Sequence, residues 1–316
     1  MRKISSSIVG LGQIGFKYDI NKTSILTHVK AINNSKTFYL KSAIDNNKKN
    51  LKLFKNKYNY NTYNSYKNAF KKDKPSLIVI STKMNVSYNI CLQAIKNHST
   101  KFILIEKPGS EKISDLKKLI YLAKKKNIYL FINYFRLFNP QYEILKKKLY
   151  KCNKFRMVFF YSRGMYNNTS HLISYLVSIF NKPKKISIIK KDPKKKKDIE
   201  PDFRLEFKNG DVTFLSSNVN NLSYLKLISL SNNEKIISNS SFNEFSYNNV
   251  ESDSYIKNYL TYSNKSKKIL VNQSKSQKIV YENILKFTEK KKYNKLISIY
   301  LNTFEILNKI KNKNDR

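Results

Sequence analysis

Residues 8–15 read Ile8-Val9-Gly10-Leu11-Gly12-Gln13-Ile14-Gly15, an apolar run that turns directly into a glycine loop with the G-x-G-x-x-G spacing. No other stretch narrows the choice of fold as far. In that spacing each glycine answers a separate steric demand. Gly10 allows the tight turn out of a strand, Gly12 lets backbone come close to a pyrophosphate, and Gly15 lets the following helix pack against the sheet. The helix start adds N–H donors and the positive end of a dipole, both of which favour an anion. The same spacing also arises by chance as a strand-to-helix turn with no ligand. This chain, however, has only six glycines in 316 residues, and three of them fall here. The loop from Gly10 to Gly15, with Gln13 and Ile14 inside it, is therefore read as a phosphate cradle.

The segments that follow fit a parallel sheet. Residues 38–44 form an apolar strand ending on Asp45, residues 77–81 read Leu-Ile-Val-Ile-Ser, and residues 102–105 read Phe-Ile-Leu-Ile. Short continuous apolar runs of this kind are buried on both faces when helices cover both sides of a sheet. Helical patterns at 28–32, 88–96 and around Leu116, Leu119, Ile120 and Ala123 separate the strands, and a further strand is expected at 129–134. Strand and helix alternation predicts a doubly wound sheet whose ligands bind at the carboxyl ends of the strands. Ser81-Thr82 and Glu106-Lys107-Pro108 stand at two such ends. An acid at the end of the second strand accepts hydrogen bonds from a ribose, usually about 20 residues past the glycines. Asp45 lies 30 residues past Gly15, and an excursion over residues 17–27, where the apolar period breaks, absorbs the difference. The bland alternative for Asp45 is a turn opened before Asn46 and Asn47.

From residue 155 the character changes. Strands are expected at 155–161, 186–189, 203–207, 212–216 and 225–230, interrupted by one strong helix at 172–180. This predicts a second, α+β domain on a largely antiparallel sheet. The expected division is 1–113 for the nucleotide-binding domain and 114–316 for the second. A long helix at 296–310 closes the chain and is expected to pack back on the first domain. Residues 190–197, with six lysines, read as a solvated loop.

The formal charge is +41, yet six of the 62 basic residues are arginine (positions 2, 136, 156, 163, 204 and 316) and 56 are lysine. Arginine is the preferred residue for bidentate recognition of phosphates and bases, so a selected nucleic-acid surface should hold more of it. Abundant Lys, Asn, Ile, Tyr and Phe with scarce Gly, Pro and Arg is the signature of AT-rich codons, and no specific nucleic-acid partner is expected. No apolar run reaches the length of a membrane helix, the run at residue 8 is too short for a signal peptide, and the cytoplasm is the expected compartment. Cys91 and Cys152 stand far apart with no histidine beside them, which predicts two buried or half-buried thiols and no metal site.

Taken together these pieces resemble the Gfo/Idh/MocA oxidoreductases, the glucose-fructose oxidoreductase and inositol dehydrogenase family. The resemblance is carried by the glycine loop, Asp45, Ser81-Thr82, Glu106-Lys107-Pro108, the run Asn133-Tyr134-Phe135-Arg136-Leu137-Phe138-Asn139-Pro140, and residues 164–176 around His171. The Glu-Lys-Pro element at a strand end is the most specific of them. What the resemblance implies is an N-terminal Rossmann domain, a C-terminal α/β domain with an open sheet through which a homo-oligomer could form, NAD or alternatively NADP, and oxidation or reduction at a sugar-like carbinol. The combination of Gly-Leu-Gly-Gln-Ile-Gly with Asn-Tyr-Phe-Arg looks most like members encoded with surface-polysaccharide and nucleotide-sugar enzymes.

The resemblance also assigns roles. The loop residues, Asp45, Ser81, Thr82, Glu106, Lys107 and Pro108 would hold the cofactor. Lys107 and His171, on opposite sides of one cleft, would handle the proton, and Tyr134, Arg136, Asn167, Asn168 and His171 would meet the substrate. Each has a plainer reading: Lys107 as one surface lysine among many, His171 as a capping or packing residue, Arg136 as an ordinary ion pair. Of the other two histidines, His98 reads as loop and His28 as a packed helix residue. The chain departs from the family pattern where Asn167 and Ser174 replace acids four residues before and three after the histidine, and where Lys83, Met84 and Ser87 follow the strand-end threonine in place of Pro, Asn and His. Asparagine can bond a hydroxyl but cannot take its proton. The alternative function is therefore a catalytically inactive dinucleotide-binding sensor or partner-binding protein of the same fold.

Overall fold

The computed structural model describes residues 3–152, 154–193, 198–219 and 221–315. The chain divides into two units, one of residues 1–139 and 274–301, the other of residues 140–273 and 302–316.

In the first unit six parallel strands, β1 (Ile4–Val9), β2 (Phe38–Ile44), β3 (Asn61–Tyr63), β4 (Leu77–Ile80), β5 (Phe102–Ile105) and β6 (Tyr129–Ile132), lie in the order β3-β2-β1-β4-β5-β6. The helices between them are α1 (His28–Asn33), α2 (Lys48–Lys55), α3 (Tyr66–Asp73), α4 (Met84–Lys96) and α5 (Ile113–Lys125). β4 is buried along its whole length, as its unbroken apolar sequence requires. Sequence order reverses between β1 and β4, and the crevice beyond their carboxyl ends is where such sheets take ligands.

The excursion before α1 is built on Asp19. Its buried carboxylate accepts from the backbone N–H groups of Leu26 and Thr27 and from the Thr27 hydroxyl, at 2.6–2.9 Å. Thr27 in turn caps α1. A carboxylate buried in a turn is tolerable because its lone pairs are filled by donors. The unit is completed by a late segment of the chain, α8 (Ser276–Asn283) and the first part of α9 (Lys290–Asp315). There Tyr293 places its hydroxyl on the Leu130 N–H at 2.9 Å, and Tyr300 packs on Tyr134.

The second unit begins with α6 (Pro140–Tyr150) and holds a nine-stranded mixed sheet. Its strands are β7 (Phe155–Tyr161), β8 (Lys185–Lys190), β9 (Asp202–Glu206), β10 (Gly210–Ser216), β11 (Leu225–Ser231), β12 (Glu234–Ser238), β13 (Glu244–Ser252), β14 (Leu260–Tyr262) and β15 (Lys267–Leu270). Among the described strands of this sheet, β7 and β10 are the pair that run parallel. Along β7 alternate residues Phe155, Met157, Phe159 and Tyr161 are buried, and Phe159, Phe203 and Phe214 stack at 4.5–5.1 Å between centroids. α7 (Ser170–Phe180), buried along nearly all of its length, and α6 pack together.

Two expectations are corrected. The division at residue 113 cuts through the parallel sheet, because β6 pairs with β5 and the chain leaves the first unit only after Asn139. Strands β12–β15 went unread because Asn, Ser and charged residues fill their outward positions and weaken the apolar alternation, as in Glu-Phe-Ser-Tyr-Asn-Asn-Val-Glu-Ser of β13. The lysine-rich stretch is strand as far as Lys190, and its residues 194–197 lie outside the described residues. The closing helix is longer than expected, running over 290–315, with its part up to Leu301 in the first unit. Cys91 and Cys152 are buried thiols; burial pushes Cys91 up to about 12. No helix among the described residues is long and apolar enough to cross a membrane.

Candidate nucleotide cleft and strand-end site

At the reversal point of the first unit lies a cleft of about 810 Å³, lined by Gly10, Gly12, Asp45, Ser81 and Thr82 together with residues of the stretches 46–50, 64–67 and 83–90. Gly10 has φ +100°, and a Cβ there would stand 2.6 Å from the Ser81 carbonyl oxygen. A Cβ on Gly15 would stand 2.1 Å from the Gly10 carbonyl oxygen, so the helical turn of Gln13–Lys17 can seat on the loop only without one. Gly12 is different, since a Cβ there meets nothing within 4 Å. The space it leaves open belongs to the cleft and has the character of a cradle that a phosphate can enter. No side chain caps the turn that follows. Ser81 holds the loop in shape by donating its hydroxyl to the carbonyls of Gly10 (2.6 Å) and Val9 (3.2 Å).

Asp45 is nearly buried and already accepts three hydrogen bonds. Oδ2 takes the Leu11 N–H (2.8 Å) and the Asn50 amide (3.0 Å), and Oδ1 takes the Asn47 N–H (2.8 Å). A carboxylate offers about four lone-pair sites, so Oδ1 retains room for about one ribose hydroxyl. The turn-forming reading of Asp45 is met by these bonds, and they leave an oxygen open for the ribose reading. The glycine cradle, the acid and the cleft fit a dinucleotide, with its pyrophosphate at Gly12 and its ribose at Asp45.

Beyond the cleft, β5 ends in Glu106-Lys107-Pro108, with the Lys107–Pro108 peptide cis, Lys107 half-buried and Pro108 buried. Glu106, expected among the cofactor contacts, engages one carboxylate oxygen within the protein: Oε1 takes the His28 imidazole at 2.9 Å and the Asn133 amide at 2.6 Å. Burial works to raise the Glu106 pKa, but the hydrogen bonds from His28 and Asn133 and the Lys107 charge outweigh it and hold the carboxyl below its ordinary value.

The glycine loop, Asp45 at the end of β2 and the sheet order coincide with a family pattern over the same stretch. Residues 4–134 match the model described as GFO_IDH_MocA, oxidoreductase family, NAD-binding Rossmann fold. Over these residues the first unit matches the nucleotide-binding half of the Gfo/Idh/MocA pattern. No curated protein matches the sequence. Among solved structures the chain is similar to the oxidoreductase yvaA from Bacillus subtilis, at 12% identity and TM-score 0.75 over 99% of this chain and 96% of that one. It is also similar to an oxidoreductase from Agrobacterium radiobacter in complex with NAD+, L-tartaric acid and magnesium, at 13% identity and TM-score 0.73 over 100% and 97%. A third similar structure is the WlbA dehydrogenase from Bordetella pertussis in complex with NADH and UDP-GlcNAcA, at 14% identity and TM-score 0.62 over 75% and 78%. At these identities the likeness is one of fold.

The remaining expected residues are distributed as follows. Gln13 and Ile14 are exposed on the turn after Gly12. Thr82 pairs its hydroxyl with that of Ser87 (3.1 Å) at the start of α4. Tyr134 has no exposed surface and packs on Tyr300 inside the first unit, which corrects its assignment to the substrate, and burial pushes its phenol far up. Arg136 is buried too, with its guanidinium 4.6 Å over the Phe135 ring.

In the second unit His171 lies nearly buried in the first turn of α7. Asn168 donates its amide to the Ser162 carbonyl, and Asn167 is exposed with its backbone N–H on Asp198 Oδ2 at 2.8 Å. Ser174 donates back to the His171 carbonyl at 2.9 Å, so it orients no imidazole. The acid that serves this segment is Asp198, which takes the N–H groups of Tyr166 and Asn167, while Glu200 takes that of Gly164. Reading the sequence missed Asp198 and Glu200 because they follow a lysine-rich stretch with no periodicity, and it missed His28 because a histidine on an amphipathic helix looks like packing. The Glu106 to His28 spacing of 78 residues leaves no local signal.

Proposed function

We propose that the protein is an NAD-dependent dehydrogenase acting on a CH–OH carbon of a sugar, nucleotide sugar or polyol. The observation that carries the reading is a lysine at the end of β5, set between a buried proline and an ionised Glu106, in the same unit as a cleft whose glycine cradle and acid fit a dinucleotide. Bound nicotinamide supplies hydride transfer. The chain's part is to hold the dinucleotide and take or return the hydroxyl proton. Gly10, Gly12 and Gly15 shape the pyrophosphate seat and Asp45 takes the ribose. Lys107 is the candidate proton-handling group of the first unit and His171 that of the second, with Asn168 and Asn167 as hydroxyl partners. A sugar nucleotide as substrate class draws support from the fold shared with WlbA, whose complex holds UDP-GlcNAcA.

The test is NAD reduction across a panel of nucleotide sugars and polyols. General acid–base catalysis contributes about 10²- to 10⁴-fold, so Lys107→Ala and His171→Ala are each expected to lower kcat by that range while NAD affinity stays unchanged. One observation favours the second reading, a dinucleotide-binding sensor without turnover: Ser174 and Asn167 leave His171 without the neighbouring acids of the family pattern. Tight NAD binding with no substrate turned over, or parent rates in both variants, establishes that reading in place of the first.

A further inference from the structure

Glu106 sits in a buried polar cluster that the dinucleotide site does not use. It joins four places in the first unit: His28 on α1, Glu106 past β5, Asn133 past β6, and Gln277 and Tyr281 on α8. His28, Asn133, Gln277 and Tyr281 are all less than 5% exposed.

The donors can be ordered. An amide nitrogen can only donate, so the Gln277 Nε2 contact at 2.8 Å makes His28 Nδ1 the acceptor. The Gln277 carbonyl oxygen faces the Asn133 amide at 3.3 Å, which agrees with that amide orientation. The Tyr281 hydroxyl also meets Nδ1, at 2.8 Å; burial first and then the Glu106 charge push its pKa well up, so it stays a donor. The imidazole therefore carries its proton on Nε2 and gives it to Glu106 Oε1, the same oxygen that Asn133 grips. His28 and Asn133 both donate to the carboxylate, and Gln277 ties the two together by donating to His28 and accepting from Asn133. Simple packing of α1 and α8 on the sheet would need no such wiring, and burying five polar groups costs free energy unless each is matched.

The next residue in the chain is Lys107, whose positive charge is among the influences that keep Glu106 ionised. Such coupling is reciprocal: the carboxylate favours the ammonium as much as the ammonium favours the carboxylate. We infer that Glu106, gripped through Oε1 by His28 and Asn133, is a positioning residue that sets the place and charge of Lys107, and that His28 is the residue that keeps it in place. The inference rests on the catalytic reading of Lys107. The charged and titratable groups that face Glu106 are His28 from α1, Tyr281 from α8 and Lys107 beside it, and Asn133 and Gln277 are neutral.

Two readouts test it on the full-length protein with NAD and the best substrate of the panel. The chain has only three histidines, so the imidazole NMR signal of His28 is identified by its loss in His28→Gln. Glu106→Gln is expected to move that signal and to leave the signal of His98 in place. In the pH profile of kcat, removing the carboxylate charge destabilises the Lys107 ammonium. Glu106→Gln is therefore expected to move the limb set by Lys107 to lower pH by about one unit and to lower kcat about tenfold, with the NAD Kd unchanged. Glu106→Asp keeps the charge and His28→Gln keeps a donor, so both are expected to recover most of the activity, whereas His28→Leu is not. An unmoved limb in Glu106→Gln, with Lys107→Ala still inactive, overturns the positioning role and leaves the catalytic reading standing. Parent activity in Lys107→Ala removes both. Should Glu106→Gln fail to fold, His28→Leu decides: a fall in kcat at unchanged KM supports the inference, and parent kcat with an unmoved limb overturns it.

Discussion

Of the two jobs proposed for the Asp45 carboxylate, one is visible in its bonds. By accepting from Leu11, Asn47 and Asn50 it locks the glycine loop to the end of β2, and the room left on Oδ1 suits one ribose hydroxyl. A 2′-phosphate brought to the same place would meet a fixed negative charge, and like charges a few ångströms apart in a half-buried site cost several-fold to many-fold in affinity. Lys67 and Lys83 also line the cleft and act in the other direction, but both are long, flexible and hydrated, whereas Asp45 is fixed by three bonds. NAD is therefore expected to bind more tightly than NADP, and Asp45→Asn to narrow the gap by about tenfold, chiefly by weakening NAD. Calorimetric titration of both cofactors into both proteins checks this, and tighter NADP binding by the parent would sink the ribose assignment of Asp45.

The glycine loop and the turn after it separate binding from folding at neighbouring positions. A Cβ on Gly12 enters open cleft, and a Cβ on Gly15 is driven into the Gly10 carbonyl at 2.1 Å. Gly12→Val is expected to abolish NAD binding with an unchanged melting temperature in the apo protein. Gly15→Ala is expected to destabilise the fold by about 1–3 kcal/mol, the range for overpacked sites, read as a lower Tm without any ligand. A Gly12→Val protein that still binds NAD would remove the pyrophosphate from this loop. The same element shows what the sequence could and could not say. Gly10-x-Gly12-x-x-Gly15 and the apolar strands were legible because their period and steric demands are local. The Asp19 turn was legible only as a break in period, since its three donors lie seven and eight residues on. The His28 to Glu106 contact was not legible at all, and neither was the return of α8 to the first unit, because both depend on tertiary pairing across 78 to 253 residues. Tyr134 misled for the opposite reason: its motif was local, but burial against Tyr300 decided its place.

Over the whole molecule the charge of +41 outweighs every local field, and the arginines show what kind of charge it is. Arg136 is buried over Phe135 in the first unit. In the second unit Arg163 bonds Ser223, and Arg204 bonds Thr213 with Asp211 at 4.0 Å. Each of these three is engaged with a protein side chain, and 56 of the 62 basic residues are lysine, a hydrated point charge that attracts polyanions without reading them. Such attraction comes from released counterions, so it must fall steeply as salt rises. Duplex DNA is expected to bind at 50 mM salt and to lose roughly 10³-fold in affinity by 200 mM, the behaviour of a protein that neutralises about six phosphates or more. Two duplexes of unrelated sequence should follow the same line within about twofold. Anisotropy titrations of both duplexes across that range, with and without NAD, check the expectation. A sequence preference of tenfold or more that survives at physiological salt would mean the lysines were selected for recognition, and the reading of the charge as a product of codon composition would fall.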